Sequence, residues 1–278
     1  MPKDDSGIMK KLAEKYSSRN LNIECQEKFI KSGSAVLDTV TSNGKGIPLN
    51  KFIQISFESG LAKTTLILHV CKHAIMQGYK VAYLDIKGGV NKSLLDGIGL
   101  SEYLGKSFFL FTASTFEDAE EILDAILELP NLVYVVIDSV TALLPSKLTD
   151  KSIAEAELGL RGRYAGAFLT KYRVKIIRSV CRPTVFFTNQ IRNKLNFKSM
   201  ASNVATEDIA CKFYCDIRLY MRSSKKIEKA LETVKGKDSV QFVYENVIWT
   251  DKNKYNTPFL QGVLYLEYGK GVFDSYFI

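Results

Sequence analysis

From Phe52 onward, apolar stretches alternate with amphipathic ones. Phe52–Ser56 reads as a strand and is followed by a helix from Lys63 to about Gln77. Val81–Asp85 and Phe108–Phe111 read as the next strands, and Ser114-x-x-Glu117 looks like a capping box opening a helix to Leu129. Leu132–Asp138 (LVYVVID) is apolar up to its last residue, as expected of a strand buried on both faces. A long helical stretch runs from about Ala154 to Ser179, and Thr184–Thr188 is a fifth strand. This rhythm predicts an α/β fold with a mainly parallel central sheet covered by helices on both faces.

The pattern changes toward both ends. After Asp216, Ile217–Met221, Val240–Thr250 and Leu260–Glu267 read as strands with no apolar helix between them, which predicts an antiparallel extension of the same sheet. Residues 223–238 (SSKKIEKALETVKGKD) form the most polar stretch, a mobile hairpin or a short surface helix. Residues 30–50 are turn-rich around one short apolar helix, Ala35 to Val40. Residues 1–20 read as a short basic helix with Ile8, Leu12 and Tyr16 at helical spacing. The chain thus divides into an N-terminal helix with its linker (1–32) and a core domain (33–278).

Composition narrows the function classes. A chain of 278 residues, 46% hydrophobic and 24% charged, can bury a sizeable core. A net charge of +8 favours polyanionic partners, nucleic acid first and an anionic membrane second, although solubility alone would account for it. Five scattered cysteines (Cys25, Cys71, Cys181, Cys211, Cys215) fit a reducing compartment better than a disulfide framework. The start, MPKDDSGIMKK, lacks the apolar stretch of a secretory signal, and no apolar run reaches the roughly 18 residues of a membrane span. A cytoplasmic protein with no membrane partner is expected.

Two segments carry candidate nucleotide chemistry. Ile55–Thr65 (ISFESGLAKTT) sits between a strand and a helix, where a phosphate loop belongs. A working loop reads G-x-x-x-x-G-K-[ST]: glycines let backbone N–H groups wrap the phosphates, the lysine reaches the β/γ oxygens and the hydroxyl meets Mg²⁺. Lys63 and Thr64 are in register, but Phe57 and Ala62 stand at the two glycine positions, and Gly60 supplies the only flexibility. A left-handed backbone angle at either Cβ-bearing residue costs about 1–2 kcal/mol, so the loop is reshaped or phosphate binding is weak. An ordinary strand–turn–helix with a surface lysine remains open on these grounds. Val135–Ser139 (VVIDS) ends an apolar strand in Asp138, the arrangement that sets a carboxylate near Mg²⁺ at the strand's carboxyl edge.

Taken in order, Gly33-Ser34, Leu37-Asp38, Gly46-Ile47-Pro48, KTTL at Lys63–Leu66, IDSVTALLP at Ile137–Pro145, TNQIR at Thr188–Arg192, KFYCDIRL at Lys212–Leu219 and DKNKYNTPF at Asp251–Phe259 resemble the RecA recombinases over nearly the whole chain. The match stops where RecA proteins continue into a small C-terminal domain, so that module is expected to be missing. A trimmed, degenerate copy suggests a phage or mobile-element relative in a bacterial or phage-infected cell. The resemblance implies a RecA-like core with ATP and Mg²⁺ as cofactors. Ser59, Gly60, Lys63, Thr64 and Thr65 would meet the nucleotide, and Thr64 and Asp138 the Mg²⁺. Gln190 would sense the γ-phosphate. Lys252 and Lys254 would reach a neighbour's ATP in a homo-oligomeric filament, although two solvated lysines in a polar turn would look the same. RecA proteins carry a catalytic glutamate where this chain has Lys87, which cannot act as a general base. Leu94 stands at the adenine-stacking position. Hydrolysis is therefore expected to be slow or absent.

The resemblance also implies two DNA-binding segments. The first covers about 147–163 and includes Arg161 and Arg163; the second, Arg192–Thr206, carries Arg192, Lys194 and Lys198 with Leu195 and Phe197 interleaved. Basic residues would hold phosphates while an apolar side chain wedges between bases, on single-stranded DNA first and double-stranded DNA second. Glu207-Asp208 replaces a glycine pair and argues for altered affinity. Three readings follow: a filament-forming recombinase of homologous recombination and repair, a catalytically inactive paralogue acting as a structural or mediator protein without strand exchange, and a scaffold that has lost DNA binding. His69 and His73 lie four apart on a helix but lack a third ligand, so metal binding is not expected there. Cys211-x-x-x-Cys215 is read as core packing.

Overall fold

The computed structural model describes residues 28–58, 63–148, 158–191, 212–230 and 240–275. Eleven strands and five α-helices are found there. The strands are β1 (Phe29–Ile30), β2 (Ile47–Pro48), β3 (Phe52–Glu58), β4 (Lys80–Asp85), β5 (Phe108–Phe111), β6 (Leu132–Asp138), β7 (Thr184–Ile191), β8 (Ile217–Ala230), β9 (Val240–Asn253), β10 (Gln261–Glu267) and β11 (Gly271–Phe273). The helices are α1 (Ala35–Ser42), α2 (Lys63–Met76), α3 (Lys92–Ile98), α4 (Phe116–Ile126) and α5 (Leu158–Arg178). The predicted N-terminal helix with Ile8, Leu12 and Tyr16 lies outside the described residues.

Nine strands form one sheet in the order β11-β10-β9-β8-β3-β7-β6-β4-β5. Side chains alternate across it with period two. Val81 and Tyr83 join one core with Ile53, Ile55 and Phe57 under α1, α2 and α3. Ala82 and Leu84 join the other with Val135 and Ile137 under α4 and α5. All seven residues of β6 are buried, which accounts for its unbroken apolar run.

Every pairing from β8 through β3, β7, β6 and β4 to β5 is parallel. Within this sheet, among the described residues, only β8–β9, β9–β10 and β10–β11 are antiparallel, and β1 and β2 form a separate antiparallel pair. The antiparallel extension therefore begins one strand later than predicted, because β8 lies beside β3 and runs with it. Of the polar stretch after Met221, the described part is strand: β8 extends to Ala230 and pairs antiparallel with β9, which starts at Val240.

The helix caps are local. Ser34 Oγ accepts from Leu37 N at 3.1 Å, opening α1. The capping box of α4 uses Thr115 and Asp118, one residue later than predicted, with both reciprocal bonds at 3.0 Å. Glu117 instead accepts from Ser146 N at 3.0 Å. The sequence reading missed α3; its Leu94, Leu95 and Ile98 are buried and close the first core.

The C-terminal strand is fastened to this frame by a histidine. His69 is 7% exposed, and its Nδ1 accepts from Val272 N at 3.3 Å. Burial first, then His73 and Lys72, push its pKa down to about 4, while the Gly33 backbone and, less, Asp274 pull the other way. The unfolded chain binds the proton near pH 6.5, so the stability held by neutral His69 is complete above pH 6.5 and is lost as pH falls toward 4. Urea unfolding at pH 7 and pH 4.5 is expected to show a loss of up to about 3 kcal/mol beyond that of His69→Leu. Equal losses in the two proteins would sink the assignment.

Candidate functional site

The carboxyl edge of the parallel strands gathers the polar residues. β6 ends at Asp138, 4% exposed, and its neighbours β4 and β7 flank it on either side. Lys63, the first residue of α2, places Nζ 3.0 Å from Asp138 Oδ1. Thr188 of β7 donates to the same oxygen at 2.5 Å. Tyr83 of β4 donates its hydroxyl to Oδ2 at 3.0 Å. Burial, and next the Asp138 charge, hold the Tyr83 phenol well above its ordinary pKa, so it stays a donor.

Beside this cluster, Thr65 in the first turn of α2 is fully buried, and its hydroxyl has no partner among the described residues. Thr64 is half-buried next to it. Gln190 lies in β7 directly opposite Phe57 of β3. Lys63, Asp138 and the Gln190 position thus lie at one edge of the sheet. Ser59 and Gly60 lie outside the described residues.

Phe57 corrects the expectation of a loop at that position. Strand β3 continues through it to Glu58, and its ring is 1% exposed in the first core. The predicted first-glycine position is therefore a core strand position. Leu94 is likewise a core residue, 2% exposed, and offers no free face. Lys87 is exposed in the turn after β4. That turn is shaped by Asp85, whose carboxylate accepts from Gly89 N at 3.1 Å and Val90 N at 2.8 Å.

Lys252 and Lys254 lie elsewhere. Asn253 of β9 pairs with Ile217, the first residue of β8, so both lysines sit at the amino edge, across the sheet from Lys63. Lys252 Nζ donates to the carbonyls of Lys212 and Phe213 at 3.1 and 3.2 Å. Lys254 Nζ is 2.7 Å from Asp216 Oδ1. Asp216, 2% exposed, also takes Arg173 at 2.8 Å and Phe52 N at 3.0 Å. Burial works to raise its pKa, but the bonds from Lys254 and Phe52 and the Arg173 charge hold it below the ordinary carboxylate value.

The two predicted DNA segments have anchors at the carboxyl edge. α5 runs back toward the start of β7, so its first turns, with Arg161 and an exposed Arg163, lie at the end where β7 stops. Arg192, Lys194, Phe197, Lys198, Glu207 and Asp208 lie outside the described residues. His69 and His73 have ring centroids 4.5 Å apart, and no group of three metal-ligating side chains occurs among the described residues. Cys215 is buried in the second core, as predicted. The sequence reading missed Tyr83, Thr188 and Asp216 as members of polar clusters.

Comparison with known proteins agrees with this architecture. The family model described as the RecA N-terminal domain matches residues 7–273. A curated protein named Protein RecA from Thermotoga maritima is 27% identical over 274 residues, covering 96% of this chain and 73% of the relative. Protein RecA from Fusobacterium nucleatum is 30% identical over 268 residues, covering 96% and 65%. Protein RecA from Allochromatium vinosum is 30% identical over 243 residues, covering 87% and 66%.

Proposed function

The chain belongs to the RecA family, and from that premise we propose that it binds single-stranded DNA and assembles along it with nucleotide turnover reduced or absent. Membership supports a role in DNA recombination and repair, with DNA binding, oligomerisation and ATP and Mg²⁺ use as properties of the family. No helix among the described residues is long and apolar enough to cross a membrane.

The observation that carries the reading is the Lys63–Asp138 contact at 3.0 Å, on the edge where the anchors of both basic segments lie. Lys63 and the unpartnered Thr65 hydroxyl fit a phosphate: one supplies charge, the other a donor. Asp138 fits a metal less well, since both its oxygens already accept hydrogen bonds. Reduced turnover follows from Lys87, an ammonium where the family carries its water-polarising glutamate. Lys252 and Lys254 lie across the sheet from their own Lys63, which supports a role toward a neighbour's nucleotide. The second reading, a mediator without strand exchange, is favoured by Phe57, Leu94 and Lys87 together.

Filter binding and ATPase assays with single-stranded DNA test both. If Arg161, Arg163, Arg192, Lys194 and Lys198 each meet one phosphate, affinity is expected to fall about 100-fold between 50 and 200 mM salt, at roughly 0.7 per contact in the log–log slope. Turnover should stay at background with and without DNA. DNA-stimulated hydrolysis that is lost in Lys63→Ala would replace this reading with an active recombinase. Absence of binding at low salt would remove the DNA reading altogether.

A further inference from the structure

We propose that Tyr83 and Thr188 hold the Asp138 carboxylate as a hydrogen-bonded hub, making nucleotide binding at this edge independent of a divalent cation. The proposal rests on reading the edge as a nucleotide site. A carboxylate that assists a hydrated cation needs lone pairs facing the metal's waters. Here the two buried hydroxyls each hold one site, Thr188 on Oδ1 and Tyr83 on Oδ2, and they stay when Lys63, which also reaches Oδ1, turns to a phosphate.

The two hydroxyls differ from Lys63 in how they are held. Lys63 opens α2, and its side chain is 21% exposed, so the ammonium is free to turn toward an incoming phosphate. Tyr83 and Thr188 come from β4 and β7, the strands on either side of β6, and are 0% and 2% exposed. Neither can leave Asp138 without stranding a buried hydroxyl. The acid on the adjacent strand gives no substitute, because Asp85 is turned onto Gly89 N and Val90 N. Tyr83 and Thr188 are thus positioning residues that act through Asp138.

The experiment is titration of a fluorescent ADP analogue into the full chain, once in excess Mg²⁺ and once in EDTA. The wild-type dissociation constants are expected to agree within about twofold. Tyr83→Phe and Thr188→Val should each raise the preference for Mg²⁺ to about tenfold, the size of one lost hydrogen bond to a charged acceptor. Both arms use one protein, so a general loss of packing affects them alike. A wild-type chain already tenfold tighter in Mg²⁺, or variants with the wild-type ratio, would overturn the proposal. Lys63→Ala separates the two levels. If it abolishes binding while the wild type is strongly Mg²⁺-dependent, only the hub fails. If the analogue binds wild type and Lys63→Ala equally, or binds neither, the nucleotide reading fails and the hub with it.

Discussion

Replacing Phe57 with glycine, which would restore the residue type of a phosphate loop at that position, is expected to destabilise the chain by about 4–6 kcal/mol rather than repair it. The ring is 1% exposed and packs among Ile53, Ile55 and Met221 of the first core. Its backbone pairs with Gln190 on one side and Met221 on the other. Removing a buried aromatic side chain costs about 3–5 kcal/mol in transfer and cavity energy, and glycine within a strand adds about 0.5–1. For a chain of this length the melting temperature should drop by about 10–20 °C. Urea denaturation gives the number directly, and a loss under about 1 kcal/mol would mean that the ring is not a core element.

Asp216→Ala is expected to cost about 3 kcal/mol or more. It leaves Arg173 and Lys254 facing each other with no anion between them, and Phe52 N without its acceptor. Breaking a buried pair by removing one partner typically costs about 3–5 kcal/mol, because the remaining charge is stranded. The low end applies here, since the Lys254 side chain is 55% exposed and can turn to water. Arg173→Ala combined with Asp216→Ala should cost less than the sum of the single changes. Additive losses in a denaturation double-mutant cycle would show that Arg173 and Asp216 do not act together.

The fold was legible where apolar patterning and local chemistry agreed. LVYVVID reads as a strand buried on both faces, and the strand–helix rhythm from Phe52 to Thr188 points to a covered parallel sheet. What the pattern could not carry was the sense of β8: nothing in Ile217–Met221 says whether it lies beside β3 or folds back alone. Helix α3 spans seven residues, too few periods to register. At the site, Lys63 and Asp138 were readable because one begins a helix and the other ends a strand, and Gln190 only through the resemblance. Tyr83 and Thr188 were not. Tyr83 reads as an interior strand residue and Thr188 as a strand end, and their shared chemistry exists only because β4 and β7, distant in sequence, flank β6 in space. For Phe57 the signal was present: Ile53, Ile55 and Phe57 continue one alternation, and the motif template concealed it.

The placement of Lys252 and Lys254 across the sheet from Lys63 has a geometric outcome. If the pair completes a neighbour's nucleotide site, the two contacting surfaces are unlike, and a two-fold dimer cannot satisfy both. Each copy that docks presents a fresh vacant edge, so growth has a direction and no built-in stop. Length would then be set by the supply of subunits or by the DNA beneath them. A single copy lacking one competent edge would terminate the array it joins.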